Sequence, residues 1–229
     1  MAINKYYKSG VRVLQLFLIA TIFAFCDSTS PGFEDSGQLI ELDVRVFLLE
    51  SSKSENITAT LNSVEVEELL EGVNKVWSQA NIQWNITLLS TEEAQNAELF
   101  ELMMNNEFPR SMSLLRSIIP GDKLSSDTWD VFLIHDFGGG IGGVYFPDLA
   151  AVLQPEVDPM GGIALEGGLV RILAHELGHS LGLPHVPCTL TGNLMAPGCF
   201  QGNRTRISKT QIENTRKQAA VNRPFNGTN

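Results

Sequence analysis

Apolar and β-branched residues dominate positions 39–49 and predict a strand. Further on, Val66, Leu69, Leu70, Val73, Val76, Trp77 and Ala80 recur at the spacing of one helix face, with Ser63 opening the helix. Residues 82–89 alternate and predict a second strand. Strand, helix, strand in that order favours a crossover and parallel pairing. Residues 91–119 predict two short helices broken at Pro109, with Met103, Met104 and Met112 as packing residues. The strongest strand pattern covers 129–137 and is broken by Gly138-Gly139-Gly140; residues 142–146 then read as a short strand. Residues 147–161 carry three prolines and read as a loop. A short strand over 162–165 leads into a helix over 168–181, and a last helix covers 208–220. No internal repeat is visible.

The composition, 43% hydrophobic and 18% charged over 229 residues, suits one globular domain with a targeting segment. Residues 1–26 have that targeting character. Lys5, Lys8 and Arg12 precede an apolar run over 13–25, and no acidic residue occurs before Asp27. The run is short for a membrane span, so the segment reads as a secretory signal rather than an uncleaved anchor. Residues 27–38 read as a linker rich in Ser, Gly, Pro and Asp. Loss of 1–26 removes three positive charges and no negative ones, taking the formal charge from -10 to -13. Such a surface repels phosphate backbones, which argues against nucleic acid as a partner.

Of the three cysteines, Cys26 closes the signal, and two fates are open to it. It leaves with the signal, or it is lipidated and tethers the chain to a membrane, although Phe25 departs from the small residue that precedes a lipidated Cys in bacterial lipoproteins. Cys188 and Cys199 remain as an even pair, suited to a disulfide in an oxidising compartment; two buried thiols are the alternative. Asn-x-Ser/Thr sequences occur at Asn56, Asn85, Asn203 and Asn226 and matter only where the source glycosylates exported proteins.

Chemistry concentrates in His175-Glu176-Leu177-Gly178-His179-Ser180-Leu181-Gly182-Leu183-Pro184-His185. Residues four apart on a helix share a face, so His175 and His179 can converge on one metal ion. Glu176, one step round, can reach a water there without displacing it. Gly182 can end the helix with positive φ, Pro184 discourages its continuation, and the reversed chain can return His185 as a third ligand. Three protein ligands leave a position open, which marks a catalytic rather than a structural zinc site.

This segment resembles the H-E-x-x-H-x-x-G-x-x-H motif of the metzincin peptidases. Asn193-Leu194-Met195-Ala196-Pro197 follows, and Met195 is similar to the family's Met-turn residue, which packs beneath the ligands without binding metal. The resemblance implies an α/β (α+β) fold: a twisted mixed sheet, a helix on the zinc site, and a small C-terminal subdomain holding the Met-turn and final helix. The catalytic domain would then cover 39–229, with an upper part over 39–182 and a lower part over 183–229. One Zn2+ would be the cofactor, Glu176 the catalytic base and a protein or peptide the substrate. Val186 after the third His, and the lack of a Tyr just past the turn, leave the subfamily open.

In that family the substrate lies along an edge strand, for which residues 142–146 are the candidate, with Gly143, Val144 and Tyr145 in contact; a plain hairpin strand is the alternative. Residues 186–200 would line the opposite wall. His135 and Asp136 read as a satisfied strand end more than as a second metal site, and Asp148, Glu156 and Asp158 match no calcium motif. The expected function is a zinc-dependent endopeptidase acting on extracellular or cell-envelope proteins, secreted or periplasmic. Two rivals remain: a catalytically silent, zinc-stabilised secreted binding protein, and a peptidase tethered to a membrane through Cys26 or an uncleaved signal.

Overall fold

The computed structural model describes residues 37–107, 109–138, 142–157, 168–190, 192–197 and 204–227. The predicted signal, the linker up to residue 36, the predicted strand over 162–165, and Cys26, Asp158 and Cys199 lie outside the described residues.

Among the described residues, five strands form one mixed sheet in the order β2-β1-β3-β5-β4. They are β1 (Ile40–Glu50), β2 (Ile82–Glu93), β3 (Trp129–Ile134), β4 (Val144–Phe146) and β5 (Ala151–Pro155). All neighbours are parallel except β4, which runs antiparallel to β5 at the edge. The expected parallel pairing of the first two strands is present, with β2 extending past the predicted end at residue 89. Its ladder with β1 continues to Glu50↔Glu93, so main-chain pairing overrides the polar character of the last residues.

The predicted loop over 147–161 needs correcting, because it contains β5. All five residues of β5 are buried, and it pairs with β3 on one side and β4 on the other. A strand covered on both faces has no polar alternation to reveal it, and Pro155 at its last position imitates a breaker. The predicted strand over 142–146 is also shorter, beginning at Val144.

Helix α1 (Ser63–Trp77) begins one residue after Asn62, whose side chain accepts from the amides of Val64 and Glu65 while Glu65 accepts from the Asn62 amide. This reciprocal cap explains why the helix starts there. The stripe from Val66 to Trp77 is buried. Helices α2 (Ala97–Met104) and α3 (Met112–Ser117) lie where two short helices are expected. Met103 is buried and Met104 packs beside it, but Met112 is 52% exposed, so the packing role fails for Met112. Helices α4 (Gly168–Ser180) and α5 (Lys209–Ala220) complete the set.

Alternation along the strands divides the core. Val46, Val131, Leu133 and Val152 join α1 and α4 in one cluster, while Phe47, Phe132, Ile134 and Leu153 join α2 and α3 in the other. The sheet is therefore covered on both faces. In register across β1 and β3, the Arg45 guanidinium reaches both carboxylate oxygens of Asp130 at 2.7 and 2.8 Å. On the outer edge of β2, Asn74 bonds both the amide and the carbonyl of Trp84, standing in for a strand partner.

Candidate metal centre

Helix α4 presents His175 and His179 one turn apart. Its end follows from Gly182, which has φ +79°. The Gly182 amide donates to the His179 carbonyl at 2.9 Å and the Leu183 amide to the Gly178 carbonyl at 3.0 Å. These two bonds make a Schellman motif and turn the chain back. His185 returns on the reversed chain, and the three Nε2 atoms lie 3.1 Å from one another.

The tautomers follow from the outer ring atoms. His175 Nδ1 lies 2.7 Å from the Leu194 carbonyl, and His179 Nδ1 lies 2.7 Å from the Leu183 carbonyl. A carbonyl only accepts, so both Nδ1 atoms carry hydrogen and both Nε2 atoms present lone pairs inward. Burial lowers the His175 imidazole to about 4 and also lowers that of His179, which keeps both in the neutral, ligating form. The lone pairs of His175 and His179 Nε2, 3.1 Å apart, repel unless a proton or a cation lies between them. His175, His179 and His185 would each give one nitrogen to a metal ion held there, and three protein donors leave room for a water or substrate. The donor set therefore fits zinc. Among the described residues these three histidines are the one group placed to hold a metal ion.

Glu176 is buried beside the triad. Burial pushes its carboxyl up to about 8, opposed by a hydrogen bond from the Tyr145 amide. Gly143 makes the approach of β4 possible, since a Cβ there would lie 2.8 Å from Glu176 Cγ and 2.9 Å from Ile172 Cγ2. Of the predicted cleft residues, Gly143 and Tyr145 thus sit against the helix at Glu176, and Val144 begins β4.

Met195 is wholly buried. Its turn is shaped by Asn193, whose side chain accepts from the Met195 amide at 2.9 Å and whose carbonyl accepts from the Ala196 amide. The Met195 carbonyl accepts from the Val186 amide, just past the third histidine. With Leu194 bonded to His175, the turn is tied to both ends of the ligand segment. Buried Arg204 holds the turn from below through the Ala196 and Pro197 carbonyls.

Several side residues have other roles. Glu156 accepts from the Thr60 and Leu61 amides and the Thr60 hydroxyl, and Asp148 pairs with Arg116. Asp136 accepts from the Gly138 amide, and His135 Nδ1 stands 3.6 Å from Glu156. Cys188 lies three residues past His185. The carbonyls of Leu183 and Leu194 and the amide of Tyr145 were not legible, because a main-chain group leaves no mark in residue type.

No protein-family model matches the sequence, and no curated protein matches it. Among solved structures, mirolysin in complex with compound 9 aligns at a TM-score of 0.50 and 12% identity, over 83% of this chain and 98% of that one. Mature mirolysin of Tannerella forsythia in complex with a cleaved peptide aligns at 0.42 and 13%, over 69% and 68% of the two chains. A chaperone–substrate complex aligns at 0.44 and 13% identity over 80% of this chain, which spans only 39% of that one. The likeness over nearly all of the first mirolysin structure shows a shared mixed α/β fold.

Proposed function

We propose that the chain is a zinc-dependent endopeptidase of the metzincin type, with His175, His179 and His185 as ligands and Glu176 as general base. The observation that carries this reading is the convergence of three imidazole nitrogens at 3.1 Å beside a buried carboxyl. The fold shared with mirolysin is in keeping with it.

When bound, zinc supplies Lewis acidity toward a peptide carbonyl and a water. Glu176 takes a proton from the attacking water and returns it to the leaving amine. The Glu176 carboxyl is buried, with Gly143 just before the edge strand packed against it. The edge of β4 offers main-chain groups to an extended peptide, with Gly143 allowing close approach. Met195 supports the ligands from beneath and stays out of the chemistry.

The same proposal places the catalytic domain over 39–229 behind a signal over 1–26, exports the chain to an extracellular or periplasmic site, and pairs Cys188 with Cys199. Mass spectrometry of the mature N-terminus separates cleavage from lipidation at Cys26 or retention. The decisive assay is hydrolysis of an unfolded protein by the zinc-loaded chain, beside Glu176→Ala and a chelated sample. Zinc retained but hydrolysis lost in Glu176→Ala supports the assignment. Retained turnover sinks it, and a folded, zinc-loaded wild type without activity turns the reading to a zinc-stabilised binding protein.

A further inference from the structure

The chain that follows α5 folds back onto both elements flanking Glu176. Pro224 is buried and Phe225 half-buried. The Phe225 amide donates to the carbonyl of Ser180, the last residue of α4, at 2.8 Å. Its carbonyl accepts from the Tyr145 hydroxyl on β4. The Phe225 ring lies 3.7 Å from where a Cβ on Gly182 would stand, and a Cβ on Gly227 would meet Pro147 Cβ at the same distance. Behind them, Gln218 of α5 donates to the Arg223 carbonyl at 2.9 Å. Residues 224–227 thus join the end of the histidine helix, the edge strand and its exit.

Tyr145 is in consequence tied by its side chain, since its hydroxyl donates to Phe225. Two residues earlier, Gly143 stands against Glu176, where a Cβ would lie 2.8 Å from Cγ. Strand β4 is only three residues long and, among the described residues, pairs on one side, so its own ladder is a weak restraint. The bond to Phe225 adds a second anchor whose other end is bolted to α4 itself. We propose that residues 224–227 are a positioning strap, which holds β4 at a set separation from α4 and so keeps the edge strand seated against Glu176.

The catalytic consequence rests on the peptidase reading; the mechanical one does not. The test uses the full zinc-loaded chain, Tyr145→Phe, and a chain ending at Arg223. Hydrogen exchange at the amide of residue 145 is measured with zinc content, kcat and KM. In both variants that amide should exchange about tenfold faster, the worth of one lost restraint of about 1.4 kcal/mol. Amides of β3 should be unchanged, zinc should stay at one ion per chain, and kcat should fall more than KM rises. Unchanged exchange at residue 145 overturns the strap. So does a rise in kcat on truncation, which would mean that the segment obstructs the cleft. If the shortened chain does not fold, Tyr145→Phe, which removes one oxygen, decides. Faster exchange in the variants with no hydrolysis by wild type would sink the peptidase reading and leave the strap standing.

Discussion

The sulfur of Met195 lies 2.6 Å from the point where a side-chain carbon on Gly178 would begin. Gly178 sits on α4 between two of the histidines, so the turn and the helix meet at a position that lacks a Cβ. Gly178→Ala would gain up to about 1 kcal/mol of helix propensity but force an overpacking cost of about 1–3 kcal/mol. We expect net destabilisation, and a double-mutant cycle with Met195→Ala in which the pair loses less than the sum of the singles. Strict additivity in urea melts would show that the contact is not energetically real.

Gly182→Ala tests the reversal that returns His185. At φ +79° a Cβ costs about 1–2 kcal/mol. Strain there also disturbs Leu183, whose carbonyl orients His179, so zinc affinity should fall along with stability. Competition titration against a chromophoric chelator measures this. Loss of stability with unchanged affinity would uncouple the turn from the metal centre.

Arg45→Ala would leave the Asp130 carboxylate fully buried without its cation, at a cost of about 3–5 kcal/mol near neutral pH. Burial already raises the Asp130 carboxyl above its ordinary value, against the pull of Arg45. The folded state therefore holds this proton more tightly than the unfolded state, and its contribution to stability declines as pH rises through the carboxylate range. Without Arg45 the value rises further. The variant's deficit should shrink as the pH falls from neutral into acid, because the variant's Asp130 takes its proton first. Denaturation at neutral and at acid pH reads it directly; a deficit that grows in acid contradicts this account.

Metal removal should lower the melting temperature. At zinc a hundredfold above its Kd, binding contributes about 2.7 kcal/mol, or about 5–10 °C for a domain of this size. Scanning calorimetry with and without chelator, followed by zinc replacement, checks both direction and reversibility. A midpoint indifferent to zinc would remove the triad from consideration as a metal site.

The parts legible in the sequence are those whose signal is local. The stripe from Val66 to Trp77 marked α1, and the spacing of His175, His179, Gly182 and His185 marked the helix, its end and the return of the third histidine. Strand β5 was hidden because burial on both faces erases alternation. Met112 was misplaced because a methionine looks the same on an open helix face as in a core. The bonds of Phe225 to Ser180 and Tyr145 join stretches distant along the chain, and no local pattern announces them.

The two halves of this architecture differ in how far the chain must reach to build them. Strand β1 must find β3 from Val44↔Trp129 onward, across some eighty residues, whereas the three clustered imidazole rings and the Leu194 carbonyl come from one stretch of twenty. Closing a long loop costs more entropy than closing a short one, and long-range parallel pairing is slow. Sheet assembly, not ion capture, should set the folding rate of this protein. Added zinc should accordingly slow unfolding while leaving the refolding rate unchanged.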